Sequence, residues 1–382
     1  MAELDPGAVD ALLARAGQDI DEGLLPACQL ALALDGEVLV HEALGAAGTD
    51  ARFCIFSATK PFVTAVVWQL LGEGALRPGQ PVHELLPAFG TNGKEVVTLD
   101  HLLLHTAGFP WAPVRPAVWL DRDARQEVYG RWRLTWPAGS RYEYHPMSAH
   151  WVLADLIHAV TGDDHRDALR ARVLDPLGLR SFQLGVPDDQ QGDVLDLELT
   201  GEPADPATLE AVLGLTADAA TVGDEALMSL NHPRARRAGV PGGGAVSDAA
   251  DVAAFYQALL HDEGALWAPS VLADATGVVR NTFPDPLLRV PINRSRGLVL
   301  AGDDGHADLR GMGRAVSSGA FGHNGAAGQV AWADPATGLS FCHLTSGRDR
   351  DLVREHRRAT ALSDLAAACV VDQGAPRGSP AP

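Results

Sequence analysis

Segments with strand character lie near both ends of this chain, and segments with helical character fill its middle. An apolar run from Cys28 to Leu34, an Asp35-Gly36 turn and a second run from Glu37 to Leu44 together predict a β-hairpin. Further strands are predicted over residues 297–301, 329–333 and 339–346. Because each half of the chain contributes only part of a sheet, we predict an α/β fold of the α+β type, with one antiparallel sheet of about five strands.

The helical segments define the rest of the expected architecture. Helices are predicted over residues 7–22, 57–72, 97–105, 148–161, 163–175, 248–260 and 349–371. The N- and C-terminal helices would cover the sheet, and the central ones would form a mostly helical lobe beside it. This organisation predicts a discontinuous α/β lobe at 1–60 and 235–371, a helical lobe at 61–234, and a disordered tail at 372–382. The cleft between the lobes is the natural place for an active site.

The charge balance excludes some classes of protein. The chain has 49 acidic and 30 basic residues, for a net charge of −19. A nucleic-acid-binding protein needs a basic face, and an anionic membrane surface would repel this chain. Residues 181–233 hold eleven acidic residues and no lysine or arginine. That segment predicts a solvated connection between the lobes, with recruitment of a substrate as the alternative.

The chain also lacks the signals of export and of metal binding. It has no apolar run of about 18 residues, so no membrane insertion is predicted. Its first residues have neither the basic nor the apolar region of a signal peptide. The cysteines form no CxxC pair, and we expect them to be buried in a reducing compartment: Cys28, Cys54, Cys342 and Cys369. These features predict a cytoplasmic protein without a metal or cofactor and leave its oligomeric state open.

The first chemistry-bearing pattern is Ser57-Ala58-Thr59-Lys60 at the start of an apolar helix. Residues three apart lie on one face of a helix, so the serine oxygen and the lysine amine can come within hydrogen-bond reach. Burial can lower the pKa of a lysine until it accepts a proton from serine. Lys60 is one of only two lysines, the other being Lys94. A capping serine beside a solvated lysine is the alternative.

Two further segments carry candidate functional groups. Tyr144, in the segment WPAGSRYEYHPM, can act as a base beside a lysine, although Tyr142 and Tyr144 can equally be packing residues. A glycine-rich segment contains His323-Asn324-Gly325-Ala326. The backbone N–H of Ala326 could pair with that of Ser57 as an oxyanion hole. The alternative for this segment is a hairpin with a surface histidine.

Together these patterns resemble the penicillin-recognising serine hydrolases, and in particular the class C β-lactamase-like branch. The resemblance covers roughly residues 25–365. Besides SATK, it rests on LLLHTAGF at 102–109, WPAGSRYEY at 136–144, PGGGAVSDAADVAAF at 241–255 and HNGAAGQVAWADPATGLSF at 323–341. It implies that Ser57 is the nucleophile, that Lys60 and Tyr144 are its bases, and that His323, Asn324, Gly325 and His145 contact the substrate.

Two departures from the family pattern indicate the kind of substrate. The family's Y-x-N tripeptide reads Tyr144-His145-Pro146, so the asparagine that contacts the amide side chain of a β-lactam is missing. The family's K-T-G tripeptide reads His323-Asn324-Gly325 here, so a histidine replaces the lysine. The cation that helps to hold a β-lactam carboxylate is therefore weakened. Both changes favour the family VIII type of carboxylesterase, acting on a small-molecule ester. The alternatives are an acyltransferase, a weak β-lactamase or amidase, and a catalytically silent binding protein.

Overall fold

The computed structural model describes residues 3–214, 216, 223–262 and 264–371. The strands in these residues are β1 (Glu3–Leu4), β2 (Ala27–Leu34), β3 (Glu37–Gly45), β4 (Arg52–Cys54), β5 (Gln183–Leu184), β6 (Val194–Leu195), β7 (Glu198–Thr200), β8 (Ala245–Ser247), β9 (Val299–Leu300), β10 (Phe321–Gly322), β11 (Val330–Asp334), β12 (Leu339–Thr345), β13 (Gly347–Asp349) and β14 (Val370–Val371). The α-helices are α1 (Pro6–Asp21), α2 (Thr59–Gly72), α3 (Leu99–Leu103), α4 (Arg122–Arg131), α5 (Ser148–Thr161), α6 (His165–Leu169), α7 (Asp175–Leu177), α8 (Pro206–Leu213), α9 (Asp224–Met228), α10 (Pro233–Ala238), α11 (Ala249–His261), α12 (Pro269–Gly277) and α13 (Leu352–Ala367).

The main sheet joins the two ends of the chain, as the sequence predicts. Its order is β3-β2-β12-β11-β10-β9, and every neighbouring pair is antiparallel. The sixth strand is β10, a two-residue segment too short to show any alternation in the sequence. The Asp35-Gly36 turn connects β2 to β3, and both of its residues have positive φ. The predicted α/β fold of the α+β type is confirmed.

The central strand β2 explains how the sheet is covered on both faces. All eight of its residues are buried. Leu30 and Leu32 pack in a cluster with residues of the terminal helices α1 and α13, whereas Ala31 and Ala33 belong to the cluster that contains α11. Leucines fill the space under the terminal helices, and alanines allow α11 to approach the sheet closely. Helices from both ends of the chain therefore cover the main sheet, as predicted.

A second, smaller sheet positions the serine of the SATK segment. Its order is β5-β8-β4-β6, with β4 antiparallel to β8 and parallel to β6. Strand β4 ends three residues before Ser57, and β8 directly follows the glycine-rich segment 241–244. Because β4 and β8 are neighbours, this glycine segment lies beside the serine. Sequence reasoning missed this sheet, since its strands have only two or three residues each.

The middle of the chain is largely helical, with some differences from the expected boundaries. Helix α5 has the predicted bounds and ends at Gly162, whose φ is 83°. The helix predicted over 163–175 is divided into α6, a π-helix at Arg170–Leu174 and the short α7. No helix among the described residues is long and apolar enough to span a membrane. The predicted tail at 372–382 lies outside the described residues.

The acidic segment 181–233 is attached to the rest of the molecule. Strand β7 pairs with β13, and acidic side chains of the segment form ion pairs with arginines from other parts of the chain. Examples are Asp193 with Arg52 and Asp196 with Arg236. These contacts explain part of the acidic composition, because the partners of these carboxylates are fixed arginines. The proposed lobe boundaries remain a prediction.

Candidate active site

Ser57 lies on a tight turn between strand β4 and helix α2. A short 3₁₀-helix, Phe56–Ala58, precedes α2, and Phe56 has a positive φ of 45°. A positive φ is uncommon for a bulky side chain, and this conformation orients the following serine. Ser57 is half-buried, and its side chain makes no capping bond to the helix, contrary to the capping role that the sequence left open. The Ser57 hydroxyl is therefore available to its neighbours in the site.

Lys60 is a buried amine and not the solvated lysine of the alternative interpretation. Lys60 is 1% exposed, and its Nζ donates to Ser57 Oγ at 3.1 Å and to the Gly242 carbonyl oxygen at 2.5 Å. Burial lowers the pKa of Lys60 well below its usual value, and the positive charge of Arg294 lowers it further. Both effects favour the neutral amine, which can accept a proton.

The other lysine provides a useful comparison. Lys94 is also buried, but its Nζ donates to the carbonyl oxygens of Thr91 and Trp132 and to the Thr91 hydroxyl. These bonds connect two loops, and they use the donors of the ammonium group. Of the two lysines, Lys60 is the one beside a serine hydroxyl.

Tyr144 lies over Lys60 and is held by a histidine. The Lys60 Nζ is 4.9 Å from the centre of the Tyr144 ring, which stacks on His105 with ring centres 4.7 Å apart. The Tyr144 hydroxyl has no hydrogen-bond partner. Burial raises the pKa of Tyr144 to about 12, although the positive charge of Arg294 and the nearby Ser57 hydroxyl act to lower it. The raised pKa favours the protonated phenol at neutral pH, and in that form Tyr144 can donate a proton.

Two glycine segments bring the parts of the site together by close backbone contact. A Cβ at Gly325 would overlap the Ile55 carbonyl oxygen, and a Cβ at Gly242 would lie 2.8 Å from the Pro146 carbonyl oxygen. Gly325 therefore allows the segment before Ala326 to touch the segment before Ser57. Gly242, whose carbonyl oxygen accepts from the Lys60 amine, lies in close contact with the loop that carries Tyr144.

His323 faces the site as a neutral ring. It is 6% exposed, its Nδ1 lies 2.9 Å from the Asn324 carbonyl oxygen, and its Nε2 has no partner. Its ring centre is 6.0 Å from that of Tyr144. Burial lowers the pKa of His323 well below its usual value, and the positive charge of Arg294 lowers it further. The histidine at the family's lysine position thus supplies no cation at neutral pH.

Asn324 and His145, which the sequence predicts to contact substrate, have side chains bonded to backbone groups of the protein. The Asn324 side chain donates to the Gly311 carbonyl oxygen and accepts from the Ala331 N–H. His145 is fully buried: its Nε2 accepts from the Phe109 N–H, and its Nδ1 lies 2.7 Å from the Glu143 carbonyl oxygen. Both side chains are occupied by the protein's own backbone. These bonds hold the loops around the site, and contact of either residue with substrate remains a prediction.

Sequence reasoning missed three buried groups around the lysine. His105 accepts from the His145 N–H through Nδ1 and stacks on Tyr144. His150 is 2% exposed, and neither of its ring nitrogens has a partner. Arg294 is 2% exposed and lies over the Tyr144 ring, with 5.7 Å between its guanidinium carbon and the ring centre. His105 belongs to the quoted LLLHTAGF segment, whereas no local pattern marks Arg294.

The described residues contain no cluster that would hold a metal ion. No group of three or more histidine, cysteine, aspartate or glutamate side chains in them is suitably arranged. His101 completes a capping box with Thr98 at the start of α3. All four cysteines are buried and unpaired.

Comparison with known proteins identifies the family. A family model described as Beta-lactamase matches residues 9–365, which is nearly the whole chain. The chain belongs to this beta-lactamase family. The match confirms the predicted resemblance to penicillin-recognising serine hydrolases.

Relatives of this beta-lactamase family member include esterases. The chain is 28% identical over 341 residues to Esterase/beta-lactamase LipL of Mycobacterium tuberculosis, covering 82% of this chain and 75% of the relative. A penicillin-binding protein homologue from Caulobacter crescentus has a TM-score of 0.78 at 27% identity, covering 97% of this chain and all of that one. A family VIII carboxylesterase has a TM-score of 0.76 at 20% identity, covering 96% and 100%. The family and its esterase relatives identify the chain as a hydrolytic enzyme.

Proposed function

We propose that this protein is a serine carboxylesterase that hydrolyses short- to medium-chain esters through an acyl-enzyme on Ser57. The observation that carries the proposal is the 3.1 Å contact between the Ser57 hydroxyl and the Lys60 amine, a buried base next to a half-exposed nucleophile. A serine hydroxyl needs such a base, because it is a weak nucleophile at its own pKa.

In the first half of the reaction, neutral Lys60 accepts the Ser57 proton while the serine oxygen attacks the ester carbonyl. The carbonyl oxygen becomes an oxyanion, and the N–H groups of Ser57 and Ala326 are proposed to stabilise it. Ser57 lies in the first turn of a helix, where an N–H has no partner within the helix. Protonated Tyr144 gives its proton to the leaving alcohol and recovers one from Lys60. The net result is an acyl-serine, a free alcohol and a neutral amine.

In the second half, a water molecule replaces the alcohol and the same groups work in reverse. As the water oxygen attacks the acyl carbonyl, the Tyr144 phenol accepts a proton from the water and passes its own proton to the neutral Lys60 amine. The Lys60 ammonium then gives that proton to the Ser57 oxygen as it leaves. The carboxylic acid departs, and the resting protonation states of Lys60 and Tyr144 return. No cofactor enters either half.

Two features support an ester over a β-lactam as the substrate. Pro146 replaces the asparagine of the family's Y-x-N tripeptide and has no side-chain amide to offer. His323 replaces the lysine of K-T-G and is neutral, because burial lowers its pKa.

The proposal is tested with a fluorophosphonate probe and a panel of p-nitrophenyl esters run beside a chromogenic cephalosporin. The wild-type protein should be labelled once, at Ser57, and should hydrolyse p-nitrophenyl butyrate with a higher kcat/KM than the cephalosporin. Ser57→Ala should abolish labelling and turnover. Ser148→Ala is the matched control, because the Ser148 hydroxyl already donates to the Phe109 carbonyl oxygen. Labelling of another serine, or faster cephalosporin turnover, contradicts the proposal.

The two neighbouring tyrosines provide a second test. Tyr144→Phe should reduce kcat strongly, on the order of 10²-fold or more, because it removes the proposed proton donor. Tyr142→Phe should have a mild effect, since that ring is assigned to packing. A larger loss of kcat in Tyr142→Phe than in Tyr144→Phe would show that Tyr142, and not Tyr144, is the proton donor.

A further inference from the structure

A cavity of about 650 Å³ lies between the loop that follows α3 and helix α4 with the segment after it. None of the proposed catalytic residues lines this cavity. Its volume lies within the range of about 300–1,000 Å³ that is typical of small-molecule pockets. Apolar side chains form most of its wall, among them Phe109, Ala112, Pro113, Val118, Val128 and Trp132. The cavity is therefore large and apolar enough to hold a ligand of its own.

Trp111 lines the cavity with an aromatic ring that is both exposed and fixed in place. The residue is 65% exposed, and its indole N–H donates to the Glu143 carboxylate at 2.7 Å. The Arg141 guanidinium holds the same carboxylate at 2.8 Å. An exposed indole leaves a large apolar surface in water, which is typical of a binding surface. Because the ring is already held, little of its freedom is lost when a ligand packs against it.

The charged residues that line the cavity all have the same sign. They are Arg115, Arg131 and Arg133, each of them exposed, and no carboxylate side chain lines the cavity. Among the described residues, Arg115 and Arg133 form no ion pair, and Arg131 is paired only with the exposed Glu127 at 3.6 Å. This concentration of positive charge occurs in a chain whose net charge is −19. The cavity therefore attracts anions, although the chain as a whole repels them.

We propose that this cavity binds an amphipathic anion, namely an aliphatic chain that ends in a carboxylate. The chain lies against the apolar wall, where its contact with water is lost. The carboxylate stays at the opening and accepts charge-assisted hydrogen bonds from the guanidinium groups of Arg115 and Arg133. The wall is concave, so it fits a single molecule better than a flat lipid surface. This site goes beyond the proposed ester hydrolysis and does not depend on it.

Isothermal titration calorimetry with octanoate and 1-octanol tests the proposal, because the two probes share a chain length and differ in charge. The wild type should bind octanoate more tightly than 1-octanol, and added salt should weaken the binding of octanoate. The double change Arg115→Gln/Arg133→Gln should raise the Kd for octanoate by about tenfold, the effect of losing a charge-assisted hydrogen bond. It should leave the Kd for 1-octanol unchanged.

Arg122→Gln is the matched control for the double change. Arg122 is exposed and begins α4, the helix that also carries Arg131, but it does not line this cavity. Removing its charge should therefore leave the Kd for both probes unchanged. An equal Kd for octanoate in the wild type and the Arg115→Gln/Arg133→Gln protein overturns the proposal.

Ala117→Trp tests whether the probes occupy the cavity itself. Ala117 is exposed and lines the wall, so a larger side chain fills the cavity without entering the core. This change should raise the Kd for octanoate and for 1-octanol by about tenfold or more, since both chains lose the same apolar wall. Ala117→Ser keeps the cavity open and should bind both probes as the wild type does. Unchanged binding in folded Ala117→Trp protein contradicts the assigned location.

Two measurements separate this site from ester hydrolysis and from a membrane surface. Ser57→Ala should bind octanoate with the wild-type Kd, and the Arg115→Gln/Arg133→Gln protein should hydrolyse p-nitrophenyl butyrate at the wild-type rate. Loss of ester hydrolysis in the double variant would place the cavity in the substrate path and contradict a separate site. Arginine-dependent binding of phosphatidylglycerol vesicles without binding of octanoate would identify a membrane-docking surface and overturn the proposal. Failure of ester hydrolysis in the wild type leaves the octanoate result unaffected.

Discussion

At the scale of single residues, the proposed chemistry depends on the protonation state of Lys60. The amine must be neutral to accept the Ser57 proton, and burial lowers its pKa below the usual 10.5. Since a base works only in its deprotonated form, kcat/KM for a neutral ester should rise with pH as Lys60 loses its proton, at a midpoint below 10.5. A pH–rate profile of the wild type measures this directly.

Lys60→Arg provides the control for that profile. Arginine keeps the positive charge at every accessible pH but cannot act as a base. We expect a loss of about 10³-fold in kcat, with circular dichroism unchanged. An arginine variant near the wild-type rate would assign to Lys60 a purely electrostatic role, and proton transfer would then pass to Tyr144 alone.

The residues also show what a sequence can and cannot indicate. The contact between Ser57 and Lys60 could be predicted, because their spacing and the helix after them are local patterns. The hydrogen bonds of Asn324 and His145 could not be predicted, because their partners are backbone groups of distant loops. Arg294 has no local signal, because its position over the Tyr144 ring arises only in three dimensions.

At the scale of elements, the contact between the Gly325 segment and the turn before Ser57 determines where the Ala326 N–H, the proposed second oxyanion donor, lies. Gly325→Ala should push the two segments apart, since the new Cβ would overlap the Ile55 carbonyl oxygen. The Ala326 N–H would then move away from the reacting carbonyl. Loss of one such donor lowers kcat by about 10² to 10³-fold, and ester hydrolysis measures it.

Gly243→Ala is the control for this change. A Cβ there would lie 3.5 Å from the carbonyl carbon of Phe56, which is an ordinary contact. It adds the same methyl group near the same turn and should have little effect on kcat. Full activity in folded Gly325→Ala protein would contradict the proposed role of the Ala326 N–H.

Elements were predicted well where the pattern was long and local. The β-hairpin, helix α5 and helix α11 agree closely with their expected bounds. The small sheet around β4 and β8 was missed, because three-residue strands have no measurable alternation. That sheet places the glycine segment next to Ser57, so the sequence identified both parts of the site without predicting how they meet.

At the scale of the whole molecule, a buried ion-pair network holds the two terminal helices together. Arg358 of α13 lies 3.2 Å from Asp19 of α1 and 2.8 Å from Asp349 of β13, and all three residues are at most 3% exposed. Arg358→Met would leave two carboxylates with weaker compensation inside the protein. The free energy of unfolding should fall by about 3 kcal/mol, as measured by urea denaturation.

The exposed pair between Arg237 and Asp188 is the comparison for this prediction. Arg237→Met should change the free energy of unfolding by less than about 1 kcal/mol, because water screens the pair. Equal effects of the two substitutions would mean that burial does not strengthen the network between the terminal helices.

The pairing of β2 with β12 also has a consequence for biosynthesis. Cys28 lies opposite Thr345, and Leu30 lies opposite His343. Strand β2 can therefore pair with β12 only after the ribosome has added more than 300 further residues. Such distant pairing slows folding, and until it forms β2 presents an uncharged apolar edge that promotes aggregation. A ribosome that stops before β12 releases a chain without the partner strand. Such a fragment should aggregate or be degraded rather than persist as a partly active enzyme.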